Sequence, residues 1–436
     1  MSLSVRFPNR KLWRVLLAAV ALVALLHVLT SDRTLFYTCH LMKDSAQVSQ
    51  IKLPFPRDNQ IESNSSFTQT GLSKTKELEE ELNHSNLAEF WETAGHMLGP
   101  NGLYPEDFNV SIVLNKMATS KIVSAQGSPG GTSYKWKVRL EGGQYAIFKP
   151  QLVEPERERK TSCNTGHEQP RVEIAAFHLM RLFGFRTVPF VAGRKVNITS
   201  EILPHAARSV KKFIKTYPDG TACIRHKCFY CKVERSTCFQ DGVVDGALMF
   251  WLHQPISYRL GVNSSYHPFH QLTFNKSIYN FGVNDPPHCD WVRSMRIYDK
   301  PRYFLDLVDM TIMGHVLGNQ DEKHVYIRDE QDNPIMTVHI DHGLGMCLST
   351  REVNANKNLA ALTQCCRVRE STIGALNRRL PTLREDFERS SSRDRLYPLL
   401  TDHQLDAVVR RADEVFEALK KCEEVVDSSV LFDKTN

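Results

Sequence analysis

Asp321 and Asp341 stand at the two ends of one loop and strand, a pairing of carboxylates that suits phosphoryl transfer. One would orient or deprotonate an attacking hydroxyl, while the other, just past a strand, would hold a divalent metal on nucleotide phosphates. The bland alternative is that Asp321 caps a turn and Asp341 begins one, since D-x-x-H and D-x-G are short patterns. An upstream lysine and glutamate complete the set. Lys149 closes an apolar strand, and Glu173 lies beside the apolar stripe of a helix, where it would hold Lys149 against the phosphates or join the metal shell. Taken singly, each is more commonly a solvated surface charge. Gly130 and Gly131 lie in the Gly-rich stretch from Gln126 to Thr132, where backbone amides would approach a phosphate closely or simply turn a hairpin.

The elements that must hold these groups can be read from periodicity. Leu305, Val308, Ile312 and Val316 recur at helical spacing, and Gly318-Asn319 breaks that helix, leaving Asp321 at the head of a loop. Met336, Val338 and Ile340 alternate as a half-buried strand, so Asp341 sits where it opens into His342-Gly343. Tyr134, Trp136, Val138 and Leu140 predict a strand before the one ending at Lys149. Val172, Ala175, Ala176, Leu179 and Leu182 predict the helix carrying Glu173, and a further strand spans Val188 to Val196.

Further helices are expected around Leu78 to Trp91, through Val113, Met117 and Ile122, from Leu359 to Leu380, from Leu383 to Leu396, and from Asp402 to Cys422. The connection from Pro255 to Pro287 reads as surface, and the residues from about Asp427 as frayed.

The formal charge is +6, without basic runs interleaved with aromatics, which argues against nucleic acid as a partner. Leu12 to Leu29 is a nearly continuous apolar run preceded by Arg6, Arg10 and Lys11, and no convincing small-residue cleavage site follows it. It reads as a type II signal anchor: a cytosolic tail at 1–11, the membrane segment at 12–29, a polar luminal stem at 30–75, and a globular body at 76–426 ahead of a tail at 427–436. Sequons at Asn64, Asn83, Asn109, Asn197, Asn263 and Asn275 all lie downstream of the run, as glycosylation in the lumen requires. The chain has 11 cysteines, which suits an oxidising compartment. Cys223, Cys228, Cys231 and Cys238 could alternatively bind zinc, though disulfides are the favoured reading.

The order Gly-rich turn, Lys149, Glu173, Asp321, Asp341 resembles the "family with sequence similarity 20" kinases of the secretory pathway. The resemblance is carried by Phe148-Lys149-Pro150, Val172 to Leu179, Ala192-Gly193-Arg194 through Thr199, Cys228 to Cys231, Gly318-Asn319-Gln320-Asp321, and Gln364 through Arg369, and it covers roughly Leu87 to Cys422. Leu140 to Gln144 with Phe148 to Pro150, and the short Cys228 to Cys231 spacing, look most like the glycosaminoglycan xylosylkinase branch.

That resemblance implies an α+β, atypical two-lobed protein-kinase-like fold, with an N-lobe at about 100–200 and a C-lobe at about 201–426. It implies a Golgi-lumen kinase that moves the γ-phosphate of ATP to the 2-hydroxyl of xylose in the proteoglycan linkage region. Asp321 would be catalytic, Asp341 a manganese ligand, Lys149 a phosphate contact, and Glu173 a supporting or metal residue, with magnesium an alternative ion. It further implies disulfides Cys223–Cys238, Cys228–Cys231, Cys289–Cys365 and Cys366–Cys422, leaving over Cys39, Cys163 and Cys347, with Cys39 available to link two chains in a homodimer.

One stretch departs from the family. Where the family follows its catalytic aspartate with Arg-His-His-Tyr-Glu, this chain has Glu322-Lys323-His324-Val325-Tyr326, so Tyr326 replaces an acidic group. Loss of a carboxylate beside the phosphates would weaken a second metal site. A secretory protein serine kinase, or an ATP-binding pseudokinase that activates a partner kinase, therefore stand as alternatives.

Overall fold

The computed structural model describes residues 65 to 434, apart from 100–101, 129–132, 153–168, 227–234, 258–268, 270–285, 296, 320, 322, 330–333 and 352. The described residues all belong to the unit Ser65–Asn436. The expected anchor, Asn64, Gly130, Gly131, Cys39, Cys163, Cys228, Cys231, Asn263 and Asn275 lie outside them. Among the described residues no helix is long and apolar enough to cross a membrane.

Helices α1 (Ser65–His84), α2 (Leu87–His96) and α3 (Ser111–Thr119) precede an antiparallel sheet. Its strands β1 (Ile122–Gly127), β2 (Trp136–Leu140), β3 (Tyr145–Pro150), β4 (Val191–Asn197) and, after a three-stranded excursion, β8 (Val243–Phe250) lie in the order β1-β2-β3-β8-β4. Cross-strand partners Trp136 and Phe148 stack with ring centroids 5.5 Å apart, fixing register with buried aromatic area. Gly246 admits that stack, because a Cβ there would lie 2.4 Å from the Phe148 ring. Helix α4 (Pro170–Leu182) begins with proline at N1 and buries a broad face that includes Val172, Ala176 and Leu179.

The intervening strands β5 (Ile214–Thr216), β6 (Ala222–His226) and β7 (Arg235–Phe239) form an antiparallel sheet in which the disulfide Cys223–Cys238 clamps β6 to β7. A zinc role for those two sulfurs is thereby overturned.

After β9 (Ile256–Ser257) and α5 (Pro286–Arg293) comes α6 (Pro301–Leu317), buried from Tyr303 to Leu317 apart from Asp306. A helix enclosed on every side makes the core of this half. It ends at Gly318, whose φ of 62° sits in the left-handed region and whose N–H, with that of Asn319, closes back onto the carbonyls of His315 and Gly314. Strands β10 (Lys323–Arg328) and β11 (Pro334–Ile340) then form an antiparallel hairpin with Lys323 opposite Ile340. Helices α7 (Ala360–Cys365) and α10 (Asp402–Glu423) pack against α6, α8 (Glu370–Arg379) reaches it through Thr372 on Asp309, and α9 (Leu383–Ser391) packs against α4. Cys289–Cys365 fastens α5 to α7, and Cys366–Cys422 the end of α7 to α10.

Several expectations need correction. Ile122 opens β1 instead of extending α3, since Ser120 turns to extended backbone. Helix α1 begins at Ser65, inside the predicted stem. The continuous helix from Leu359 to Leu380 is interrupted where Cys366 adopts φ 44° and Val368–Arg369 form a short strand. The C-terminal stretch is docked: Phe432–Asp433 pairs in parallel with Val368–Arg369, Leu431 is buried, and Arg367 binds Asp433 at 2.6 Å. Cys347, left over by the family pattern, is disulfide-bonded.

Candidate active site

Strand β3 carries Lys149 into the interior, 4% exposed, and the first turn of α4 carries Glu173 toward it, 1% exposed. An unpaired ammonium could not stay there, since a buried charge needs a partner. Lys149 Nζ donates to Glu173 Oε1 at 2.5 Å and to Asp341 Oδ1 at 2.6 Å. Glu173 Oε2 accepts the backbone N–H of His342 at 2.9 Å, so one carboxylate ties the N-terminal sheet to the loop after β11. The carbonyl of Gly343 accepts the N–H of Gln169 at 2.9 Å, a second tie at the base of α4.

Asp341 leaves β11 with φ 68°, a left-handed backbone unusual outside glycine but tolerated by aspartate. The turn aims its carboxylate between two lysines. Oδ1 takes Lys149, and Oδ2 takes Lys323 Nζ at 2.7 Å. Burial works against the Asp341 charge, but the ammonium groups of Lys149 and Lys323 outweigh it and hold the carboxyl well below the usual carboxylate range. For Lys323, burial is likewise overcome, by Asp341 and Asp321, and the amine is held above the ordinary lysine value.

Asp321 accepts from the same Lys323 at 2.8 Å through Oδ2. Its N–H donates to Asn319 Oδ1 at 3.1 Å, an Asx turn that carries the chain from the end of α6 to Asp321. Arg411, buried on α10, braces that corner: Nε donates to the Val316 carbonyl and Nη1 to that of Cys347, each at 2.9 Å. With no carboxylate bonded to it among the described residues, burial pushes the Arg411 guanidinium down to about 9.

Lys149, Glu173, Asp321 and Asp341 thus meet through two ammonium groups. Gly130 and Gly131 fall outside the described residues, although Gly127 and Trp136, which flank that turn, are paired in register. Of the sequons, Asn83 and Asn109 are exposed; Asn197 is half-buried, with its side-chain oxygen accepting the N–H groups of Thr199 and Ser200. Lys323, Asn319 and Arg411 were missed as site residues. The one available signal was a lysine at the departure from the family pattern, read there only as a lost carboxylate at Tyr326.

The oxygen donors of Asp341 and Glu173 suit a hard divalent ion such as magnesium or manganese. Tyr326 adds no donor of that kind, since its hydroxyl is buried against His324 Nε2 at 2.9 Å and Tyr298 at 3.4 Å.

Residues 89–430 match the family model described as "Fam20C: Golgi casein kinase, C-terminal, Fam20". The chain belongs to the Fam20 family. It is similar to the human glycosaminoglycan xylosylkinase, 30% identical over 79% of this chain and 83% of that one. It also resembles the human extracellular serine/threonine protein kinase FAM20C, 30% identical over 73% of this chain but 54% of the relative. A solved structure of hydra Fam20 with sugar superposes with a TM-score of 0.65 at 28% identity, covering 79% of this chain and 97% of that chain. The α+β kinase-like arrangement is therefore that of Fam20 proteins.

Proposed function

We propose that the chain is a Golgi-lumen kinase that transfers the γ-phosphate of ATP to the 2-hydroxyl of xylose in the proteoglycan linkage region. The observation that carries it is the convergence of Lys149, Glu173 and Asp341 in one buried ion cluster, with Asp321 linked to it through Lys323. The acceptor is supported by similarity to the xylosylkinases, and by the larger share of that relative, 83% against 54% for the protein kinase, that aligns with this chain.

In this reading Lys149 contacts the nucleotide phosphates and Glu173 keeps its ammonium aimed at them. Asp321 orients the acceptor hydroxyl and takes its proton as the oxygen attacks phosphorus. Asp341, with Glu173 beside it, would hold manganese or magnesium, which when bound neutralises charge on the phosphates. The apolar segment 12–29 anchors the chain as a type II membrane protein, with sequons such as Asn83 and Asn109 glycosylated in the lumen.

The test is full-length protein with labelled ATP, manganese, a linkage tetrasaccharide and, in parallel, casein, with Asp341→Ala as control. Label on the sugar that vanishes in the variant supports the xylosylkinase. Label on casein alone replaces it with the protein kinase. A second reading, a nucleotide-binding pseudokinase that activates a partner kinase, is favoured by one observation, the ion pair between Lys323 and the proposed base Asp321. It is tested by nucleotide binding without transfer to either acceptor.

A further inference from the structure

Lys323 lies where two carboxylates converge. Its ammonium is 2.8 Å from Asp321 Oδ2 and 2.7 Å from Asp341 Oδ2, spanning the residue proposed to take the acceptor proton and the one proposed to hold metal. The side chain is 20% exposed, so the group is shielded from bulk water yet reachable from it. Its position is built in: β10 starts at Lys323, its register partner across the hairpin is Ile340, and Asp341 follows directly.

Among the described residues, three carboxylates, Glu173, Asp321 and Asp341, are joined by the ammonium groups of Lys149 and Lys323. A metal ion placed between Asp321 and Asp341 has to displace the Lys323 ammonium that joins them. Three residues along the strand, Tyr326 is turned into the protein against His324 and Tyr298, and so offers no replacement carboxylate.

We infer that Lys323 is a fixed monovalent cation standing in for a second metal ion, so that this chain binds nucleotide with one divalent ion and retains part of its nucleotide affinity with none. The inference rests on the phosphotransferase reading above, because it takes the cluster to face nucleotide phosphates. A lysine suits the role: it is a compact point charge with three donors, enough to keep both carboxylates and reach a phosphate oxygen.

The experiment uses full-length protein and a non-hydrolysable ATP analogue. Bound manganese per chain is counted by electron paramagnetic resonance at saturating analogue, and analogue affinity is measured in manganese and in EDTA. Wild type should hold one manganese ion per chain and bind the analogue in EDTA. Lys323→Met should weaken binding in EDTA at least about tenfold, the loss of one charge-assisted contact, with a smaller loss in manganese. Lys323→Arg, which restores the charge, should recover most of it, separating a charge effect from a folding defect. Lys323→Asp should raise the manganese count to two.

Two manganese ions on wild type, no analogue binding in EDTA, or Lys323→Met binding as wild type in EDTA would each overturn the role of Lys323 while leaving the kinase reading intact. Failure of wild type to bind the analogue under any condition would overturn both.

Discussion

Lys149 Nζ lies 2.5 Å from Glu173 Oε1 with both side chains buried, and the other Glu173 oxygen receives the His342 N–H. Glu173 is therefore both counter-ion and strut. Glu173→Ala should destabilise the fold by about 3 kcal/mol, the cost of stripping a buried ion pair of one partner. Glu173→Gln keeps the acceptor for His342 and should lose less, yet phosphate transfer should fall roughly 100-fold. Urea titration beside the transfer assay separates the two; equal stability losses would mean that the strut is not what matters.

Asp321 sits after the Asx turn of Asn319, with Lys323 on one oxygen. Asp321→Asn preserves shape but cannot take a proton, so kcat should drop roughly 1,000-fold with the nucleotide KM nearly unchanged. A comparable rise in KM would assign Asp321 to binding instead.

Arg411 and Gly318 form one corner: a Cβ at Gly318 would lie 2.9 Å from Arg411 Cζ, and Arg411 satisfies the carbonyls of Val316 and Cys347. Arg411→Ala should cost about 3 kcal/mol by leaving those carbonyls without their donor. Gly318→Ala should cost about 1 kcal/mol for the left-handed backbone alone, and more while Arg411 blocks the space. The double variant should then cost less than the two single losses added; strict additivity would show that the contact is not real.

Burial pushes His178 and His339 down to about 3, and His324 to about 4, far below the ordinary value near 6.5. Neither ring nitrogen of His178 has a hydrogen-bond partner among the described residues. Below about pH 6.5 the unfolded chain takes up protons at these rings that the folded chain refuses until much lower pH, so stability is full above that value and declines as pH falls. Each histidine should contribute up to about 1.4 kcal/mol per pH unit. Denaturation midpoints at pH 7, 6 and 5 should fall in that order, and His178→Leu should flatten the trend; an unchanged slope in the variant would sink the account.

Cys366–Cys422 closes a separation of 56 residues and joins the end of α7 to α10. On chain-entropy grounds its removal by paired serine substitution should cost up to about 4 kcal/mol. Thermal unfolding with and without the bond measures it.

Local pattern by itself determined much of this chain. The 3.6-residue recurrence of Leu305, Val308, Ile312 and Val316 located α6, Gly318 its end, and the alternation of Met336, Val338 and Ile340 the strand before Asp341, because each is a property of residues close together in the chain, although both elements proved buried on more than the one face that the pattern marks. The family motifs supplied the three disulfide pairings seen among the described residues. Where short-range signals compete, pattern failed: Ile122 fits a helical stripe but is drawn into β1 opposite Leu140, and Phe432 and Asp433, in a stretch too short to show a period, are held by a strand 64 residues earlier.

Only the tertiary structure decided the charge arrangement of the site. Lys149 and Asp341 are 192 residues apart in sequence, and whether Lys149 was solvated or buried depended on partners that no local window contains. Lys323 read as a departure from a motif; the hairpin register and the left-handed turn at Asp341 made it a bridge between two carboxylates. Electrostatic energy depends on distances between side chains from different elements, and those distances exist only after folding.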